Sequence, residues 1–222
     1  SELQDTVMSI RMVPLAGVFQ KMNRIVFDVS RKLGKDIEFE MIGDTTEVDK
    51  NIIETISDPL MHLVRNSVDH GIETNEERAA NGKTEKGKIV LEAKNEGGKV
   101  WISVRDNGKG LERKKLFKKA WENGLLPTNR AENDYTDKEI FQFITYPGFS
   151  TKEQVTEYSG RGVGMDVVVK NIQKIGGVLD IESEAGKGTT MTMKIPLTMA
   201  IIDGIVRSNE LGHEIEIEIP EI

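Results

Sequence analysis

The run His62-Leu63-Val64-Arg65-Asn66-Ser67-Val68-Asp69-His70-Gly71 constrains the fold more than any other stretch, because His62, Asn66 and His70 recur every fourth residue inside a helical apolar pattern. At 3.6 residues per turn, a four-residue step rotates only about 40°, so the three polar side chains form one stripe. Ile53, Ile56, Leu60, Leu63 and Val64 cluster on the far side and are expected to be buried. A helix over roughly 51–70, closed by Gly71, therefore needs a packed layer on one face and keeps a His/Asn/His stripe on the other. Such a stripe suits an anionic ligand and its metal: asparagine offers a neutral oxygen fit for Mg²⁺, and histidine donates to phosphate or takes a proton. A plain solvated polar face fits this helix alone equally well.

Composition narrows what the stripe can serve. With 222 residues the chain holds one large or two small domains and enough interior for a core. A net charge of −7 without a basic run argues against a general nucleic-acid-binding surface, though not against a local cationic pocket for phosphates. There are no cysteines, which excludes a disulfide framework and a thiolate metal site. No apolar run approaches the ~20 residues of a membrane span, and the start lacks a signal-peptide layout. The expectation is a soluble protein with no nucleic-acid partner and no membrane insertion.

Residues 1–12, ending Met8-Ser9-Ile10-Arg11-Met12, read as the tail of a helix interrupted by Pro14, and Leu15 to Leu33 as a second amphipathic helix closed by Gly34. Ile37 to Met41 alternates as a strand. Ile89–Ala93 and Val100–Val104, joined across Gly97-Gly98, read as a hairpin. Helices near 112–122, 137–144 and 163–175 follow, then strands Val178–Ser183 and Thr189–Ile195 turned by Ala185-Gly186-Lys187-Gly188. The polar, glycine-bearing segment from Gly148 to Gly164 is expected to be mobile. Helices mixed with mainly antiparallel strands, not repeated βαβ units, predict an α+β fold: a two-layer α/β sandwich with helices on one face of a mixed sheet. After Thr198 the pattern changes, and the strand-like pieces 201–206 and 213–219 read as the start of another domain.

Three glycine motifs carry the chemistry. Asp106-Asn107-Gly108-Lys109-Gly110 follows directly on a strand, where a carboxylate can accept a hydrogen bond from an exocyclic amine such as adenine N6 while the glycines let the base approach. Such a bond contributes roughly 1.5–3 kcal/mol, enough to select adenine over a base lacking the donor. An ordinary Asp-Asn-Gly turn is the competing explanation. Gly160-Arg161-Gly162-Val163-Gly164 opens a helix, and alternate glycines there expose amides at the positive end of its dipole, a seat for phosphate. Its spacing is neither the dinucleotide fingerprint nor a P-loop. Gly186-Lys187-Gly188-Thr189-Thr190 sits in a hairpin turn, where Thr189 offers a hydroxyl to a ligand or simply begins a strand.

In this order the motifs resemble the GHKL superfamily of ATP-binding proteins (the Bergerat fold), shared by histidine kinases, Hsp90, gyrase and MutL. The N box looks like His62 to His70, the G1 box like Asp106 to Gly110, and the later G boxes like Gly160 to Gly164 and Gly186 to Thr189. Tyr146 to Thr151 is similar to the F-box region that leads into the ATP lid. Leu3-Gln4-Asp5, Met8 to Pro14, Asn66 to Glu73, Pro147 to Thr151 and Ser159 to Val168 resemble the chemotaxis histidine kinases in particular, from residue 1 to about 206. The resemblance implies the end of a dimerisation helix at 1–12, a catalytic ATP-binding domain at 13–198 and the start of a receptor-coupling regulatory domain at 199–222.

It also implies roles. Asn66 would coordinate Mg²⁺; Asp106 would bind the adenine amine, with Gly108 and Gly110 giving the base room and Thr189 supporting it. His70, with Lys115 and Lys119 on the following helix, would meet the phosphates of ATP, although the lysine-rich run 113–119 equally suits a solvated helix. Gly160, Gly162 and Gly164 would give the lid flexibility and amide donors. Where GHKL ATPases resemble one another in a glutamate four residues before the asparagine, this chain has His62, which favours phosphoryl transfer to a histidine over hydrolysis. The implied acceptor lies on a separate phosphotransfer domain rather than at His62, His70 or His213, for relay to response regulators. A chemoreceptor and coupling protein would act through the regulatory domain, in a cytoplasmic homodimer of which this stretch alone is monomeric. A GHKL ATPase and a nucleotide-gated interaction module are the rivals; Phe149 and Tyr158 would serve the latter as a presented surface, or simply pack in the core.

Overall fold

In the computed structural model, which describes residues 11–149 and 164–197, a five-stranded sheet runs in the order β2-β4-β5-β7-β6. Its strands are Ile37–Ile42 (β2), Gly87–Glu96 (β4), Lys99–Asp106 (β5), Val178–Glu184 (β6) and Gly188–Pro196 (β7). β2 pairs with β4 in parallel, and the other three pairings are antiparallel. A two-stranded ladder joins Met12–Pro14 (β1) to Glu47–Asp49 (β3). The helices are Ala16–Lys32 (α1), Lys50–Asn66 (α2), Asn75–Ala80 (α3), Arg113–Glu122 (α4), Asp137–Gln142 (α5) and Met165–Lys174 (α6).

Strand parity decides which face the helices cover. In β5, Val100, Ile102, Val104 and Asp106 are buried while the residues between them are not, so the carboxylate stands at the end of the core-facing row. Directly opposed residues share that face: Leu91 pairs with Val104, Ala93 and Met193 flank Ile102, and Ile195 faces Val100. One core joins them to Phe19, Met22 and Val26 of α1, to Ile52, Ile56, Leu60, Leu63 and Val64 of α2, and to Val168 and Ile172 of α6. The two-layer sandwich predicted from the element order is the observed architecture. On the outer face Trp101 lies between the ammonium groups of Lys94 and Lys194, 5.0 and 4.1 Å from the ring centroid.

Between β5 and α6 a helical insert has its own small core of Ala120, Leu126, Tyr135, Ile140, Phe143 and Phe149. Tyr135 packs edge-on against both Phe117 and Phe143, at 5.9 and 6.4 Å. Phe149, a candidate for a presented surface, is buried there, because it is the apolar lid of that cluster. Tyr158 lies outside the described residues, as do 1–10, the segment 150–163 expected to be mobile, and everything after 197.

Several local expectations change. Met12, read as the end of a helix, is in a strand opposite Asp49, held by pairing with a β3 too short to show a pattern. Ile53 is only half-buried and Ile52 is fully buried in its place, so the apolar face is turned by one residue. The short helix α3 carries a capping box, with Thr74 accepting from the Glu77 amide and Glu77 accepting from that of Thr74.

Asp49 caps α2 by accepting from the Asn51 amide at 2.8 Å. At its other end the helix widens into a π-turn, Ser67–Gly71, closed by Ile72 N–H donating to Ser67 C=O at 2.8 Å. The carbonyls of Val68, Asp69 and Ile72 at that end accept from a single group, the Lys35 ammonium, at 2.8, 2.7 and 2.8 Å. Gly34, at φ 64°, ends α1 and places Lys35 there. Lys35→Met is expected to cost about 1–3 kcal/mol by orphaning these acceptors; an unchanged urea midpoint would contradict that role.

Candidate functional site

The sheet and α2 bring the stripe and the Asp106 turn to one end of the sandwich. Asp106 is 7 % exposed. Its Oδ1 accepts from the Gly108 amide at 2.9 Å and the Thr189 amide at 3.3 Å, and the Ser67 hydroxyl also bonds to the carboxylate. Burial pushes the carboxyl above the ordinary carboxylate range, and these hydrogen bonds oppose the shift only in part. Both amides bond to Oδ1, and Oδ2 lies beside Gly71.

Absent side chains let the backbone close in around Asp106. A Cβ on Gly71 would stand 2.8 Å from Asp106 Oδ2, and one on Gly188, at φ 130°, would overlap the Asp106 carbonyl. A Cβ on Gly108 would collide with the Gly71 carbonyl. At Gly110, with φ 71°, the side-chain position is filled by the Glu184 carbonyl, so the glycine secures the turn against the β6–β7 hairpin. Thr189 is tied into the β6–β7 hairpin. Its hydroxyl is 2.9 Å from that of Ser183, which accepts from the Leu111 amide at 2.8 Å.

The stripe lies alongside. The Asn66 amide nitrogen contacts the Met165 sulfur at 3.5 Å, which abuts the stripe against the start of α6, where Gly164 is the N-cap without a side-chain cap. His62 is held below the ordinary histidine range by burial, then by the charges of Arg65 and His70, while Asp166 in the first turn of α6 opposes this. Its imidazole is therefore neutral at pH 7, with a nitrogen able to accept a proton. His70 Nε2 is 3.6 Å from Asp69 Oδ2. Gly160 and Gly162 lie outside the described residues.

The two lysines of α4 have partners of their own in this structure. Lys115 is 77 % exposed and paired with Glu112 at 2.8 Å; Lys119 sits over the Phe149 ring at 4.9 Å. Both contacts belong to the helical insert, because α4 packs on α5 rather than on the stripe helix. An open cleft lined by Phe117, Trp121 and Ala131 is also part of that insert and includes none of the motif residues.

Residues to which the sequence assigned no role complete the site. Ser67 and Gly71 come from the π-turn, and Glu73, Arg78 and Lys83 form a buried ionic group behind the Asp106 turn. Among the described residues there is no cluster of three or more His, Cys, Asp or Glu fit to hold a metal. A divalent ion here needs oxygens from a polyanionic ligand beside the Asn66 amide oxygen, which is how Mg²⁺ is usually held with phosphates.

Residues 55–199 match the family described as Histidine kinase-, DNA gyrase B-, and HSP90-like ATPase. The chain is 50 % identical over 204 residues to the chemotaxis protein CheA of Salmonella typhimurium, covering 92 % of this chain and 30 % of that one. It is 50 % identical to the sensor histidine kinase CheAY of Helicobacter pylori (93 % and 26 % covered) and 45 % identical to CheA of Halobacterium salinarum (91 % and 30 %). It thus spans less than a third of the length of these curated relatives. Among solved structures, a catalytic domain of the histidine kinase ThkA superposes with a TM-score of 0.55 at 21 % identity, over 85 % of this chain and 95 % of that one, a likeness of fold.

Proposed function

Because the chain belongs to the histidine kinase-, DNA gyrase B- and HSP90-like ATPase family, we propose that it is the ATP-binding catalytic part of a chemotaxis histidine kinase, which moves the γ-phosphoryl group of ATP to a histidine on a separate phosphotransfer domain. The observation that carries this is the buried Asp106 carboxylate, whose Oδ1 is held by two backbone amides and whose Oδ2 lies beside Gly71, an acceptor suited to the adenine amine. The match to chemotaxis proteins over more than nine-tenths of the chain supports the signalling role. Residues 13–198 would form the catalytic domain, with 1–12 and 199–222 belonging to dimerisation and regulatory domains. Response regulators, chemoreceptors and a coupling protein would be reached through other parts of a cytoplasmic, dimeric whole.

In this assignment Asn66 would hold Mg²⁺ through its amide oxygen, and a bound Mg²⁺ would supply charge compensation to the phosphates of ATP. His70 and the amides at the start of α6 receive the phosphates. Transfer forms a bond from the acceptor imidazole nitrogen to phosphorus and breaks the bond from phosphorus to the β–γ bridging oxygen of the ADP leaving group. His62, neutral at pH 7, accepts the proton that the attacking imidazole must lose. The rest of the rate comes from positioning.

Asp106→Asn tests the nucleotide assignment. The Asn carbonyl can still accept from Gly108 and Thr189, but its NH₂ then meets the adenine NH₂, donor against donor. ATP affinity is expected to fall about ten- to a hundredfold, with no loss of thermal stability. The sign follows from the raised carboxyl: its stabilising contribution is in place below the unfolded value and lost as pH rises through the folded one. At neutral pH the charge is thus a cost that Asn removes. Equal ATP affinities by calorimetric titration would refute the assignment.

A further inference from the structure

We infer that Lys83, backed by the buried Glu73–Arg78 pair, is a positioning residue that aims the Asp106 carboxylate at the nucleotide base. This rests on the ATP assignment above. Lys83 Nζ donates to two successive carbonyls, Asn107 at 3.1 Å and Gly108 at 2.8 Å, and lies 2.8 Å from Glu73 Oε2. Arg78 donates to Glu73 Oε1 at 2.9 Å, to the same Asn107 carbonyl at 3.1 Å, and to the carbonyls of Glu85 and Lys86. The Glu73 and Arg78 side chains are 3 % and 5 % exposed.

A trans peptide is planar, with its C=O and N–H pointing in opposite directions. The Asn107 carbonyl gripped by Lys83 and Arg78 therefore fixes the Gly108 N–H, which donates to Asp106 Oδ1 at 2.9 Å. The Gly108 carbonyl gripped by Lys83 fixes the Lys109 N–H, which donates to the Gly71 carbonyl at 2.9 Å. One ammonium thus sets two consecutive peptide planes: the first orients the carboxylate, and the second docks the turn on the π-turn that carries Ser67. The Asn107 side chain holds the turn from the other side, accepting from the Lys88 amide at 2.7 Å and donating to the Lys86 carbonyl at 3.0 Å. Apolar side chains of similar volume would fill the same space with less desolvation cost. They cannot direct two carbonyls, and that directionality is what an ionic group adds here.

The test compares the unaltered chain with Lys83→Met, which keeps the stem, Lys83→Arg, which restores donors, and Asp106→Asn. Each is titrated calorimetrically with ATP and GTP in the presence of Mg²⁺, and each is melted without nucleotide. Lys83→Met is expected to lose about tenfold in ATP affinity and most of its preference over GTP, with Lys83→Arg recovering both. A Lys83→Met protein that melts earlier but keeps the ATP affinity and the ATP:GTP ratio of the unaltered chain would overturn the inference and leave Lys83 structural. If Lys83→Met does not fold, Lys83→Gln carries the same comparison. Loss in Asp106→Asn but not at Lys83 sinks this inference alone; ATP binding indifferent to Asp106 sinks the nucleotide assignment and this inference with it.

Discussion

Replacing His62 by glutamine is expected to slow phosphoryl transfer to an added phosphotransfer domain by about a hundred- to ten-thousandfold while leaving ATP affinity unchanged. His62 lies one helical turn before Asn66 on the stripe, and glutamine keeps the size and a hydrogen-bonding end but cannot take a proton. Burial, Arg65 and His70 hold the imidazole below the ordinary histidine range, so the neutral, proton-accepting form dominates at pH 7. Transfer in the unaltered chain should therefore rise with pH through a midpoint below about 6.5, and the variant should lack that acidic limb. Single-turnover transfer of label from γ-labelled ATP, followed against pH, reads both effects. An unchanged rate in His62→Gln would make His62 a structural partner of the phosphates. Transfer absent from the unaltered chain as well, with ATP still bound, would favour a nucleotide-gated module. Stable label on the chain without the added domain would contradict a separate acceptor.

Glu73→Ala is expected to destabilise the fold by about 3–5 kcal/mol, lowering the melting temperature by roughly 10 °C for a domain of this size. Removing this carboxylate strands two cations: Arg78 at 2.9 Å, almost fully buried, and Lys83 at 2.8 Å. Burial alone would raise the Glu73 carboxyl, but the Lys83 contact, its own backbone hydrogen bond and the Arg78 charge together hold it below the ordinary glutamate range. A depressed carboxyl contributes stability above its unfolded value, and that stability is lost as pH falls through the folded one. The gap between unaltered protein and Glu73→Ala should accordingly narrow on acidification, opposite in sign to the gap for Asp106→Asn. Melting scans from neutral pH downward check this. A shift under about 1 kcal/mol would place the group in the surface-pair class.

Why some of this is legible in the sequence and some is not follows from which contacts are local. The stripe and the core face of α2 are written in a 3.6-residue period, and Asp106 ends a strand whose alternation already puts it on the core side. The capping box Thr74-Asn75-Glu76-Glu77 was also there to be read as a helix start. The π-turn leaves no periodic trace, since it differs from an α-turn by one backbone bond. Lys35 and Lys83 meet their carbonyl partners 24 to 37 residues away, a distance at which sequence spacing carries no signal. For the α4 lysines the one-turn spacing is legible, whereas the insert's own core of Ala120, Tyr135 and Phe143, on which the helix packs, is not.

The most direct check of the central claim is calorimetric titration of Mg²⁺·ATP and Mg²⁺·GTP into the unaltered protein. Binding of ATP with at least tenfold preference over GTP, the discrimination expected of one hydrogen bond to a charged acceptor, is the predicted result. Absence of ATP binding, or equal affinity for the two nucleotides, would contradict a site built around Asp106.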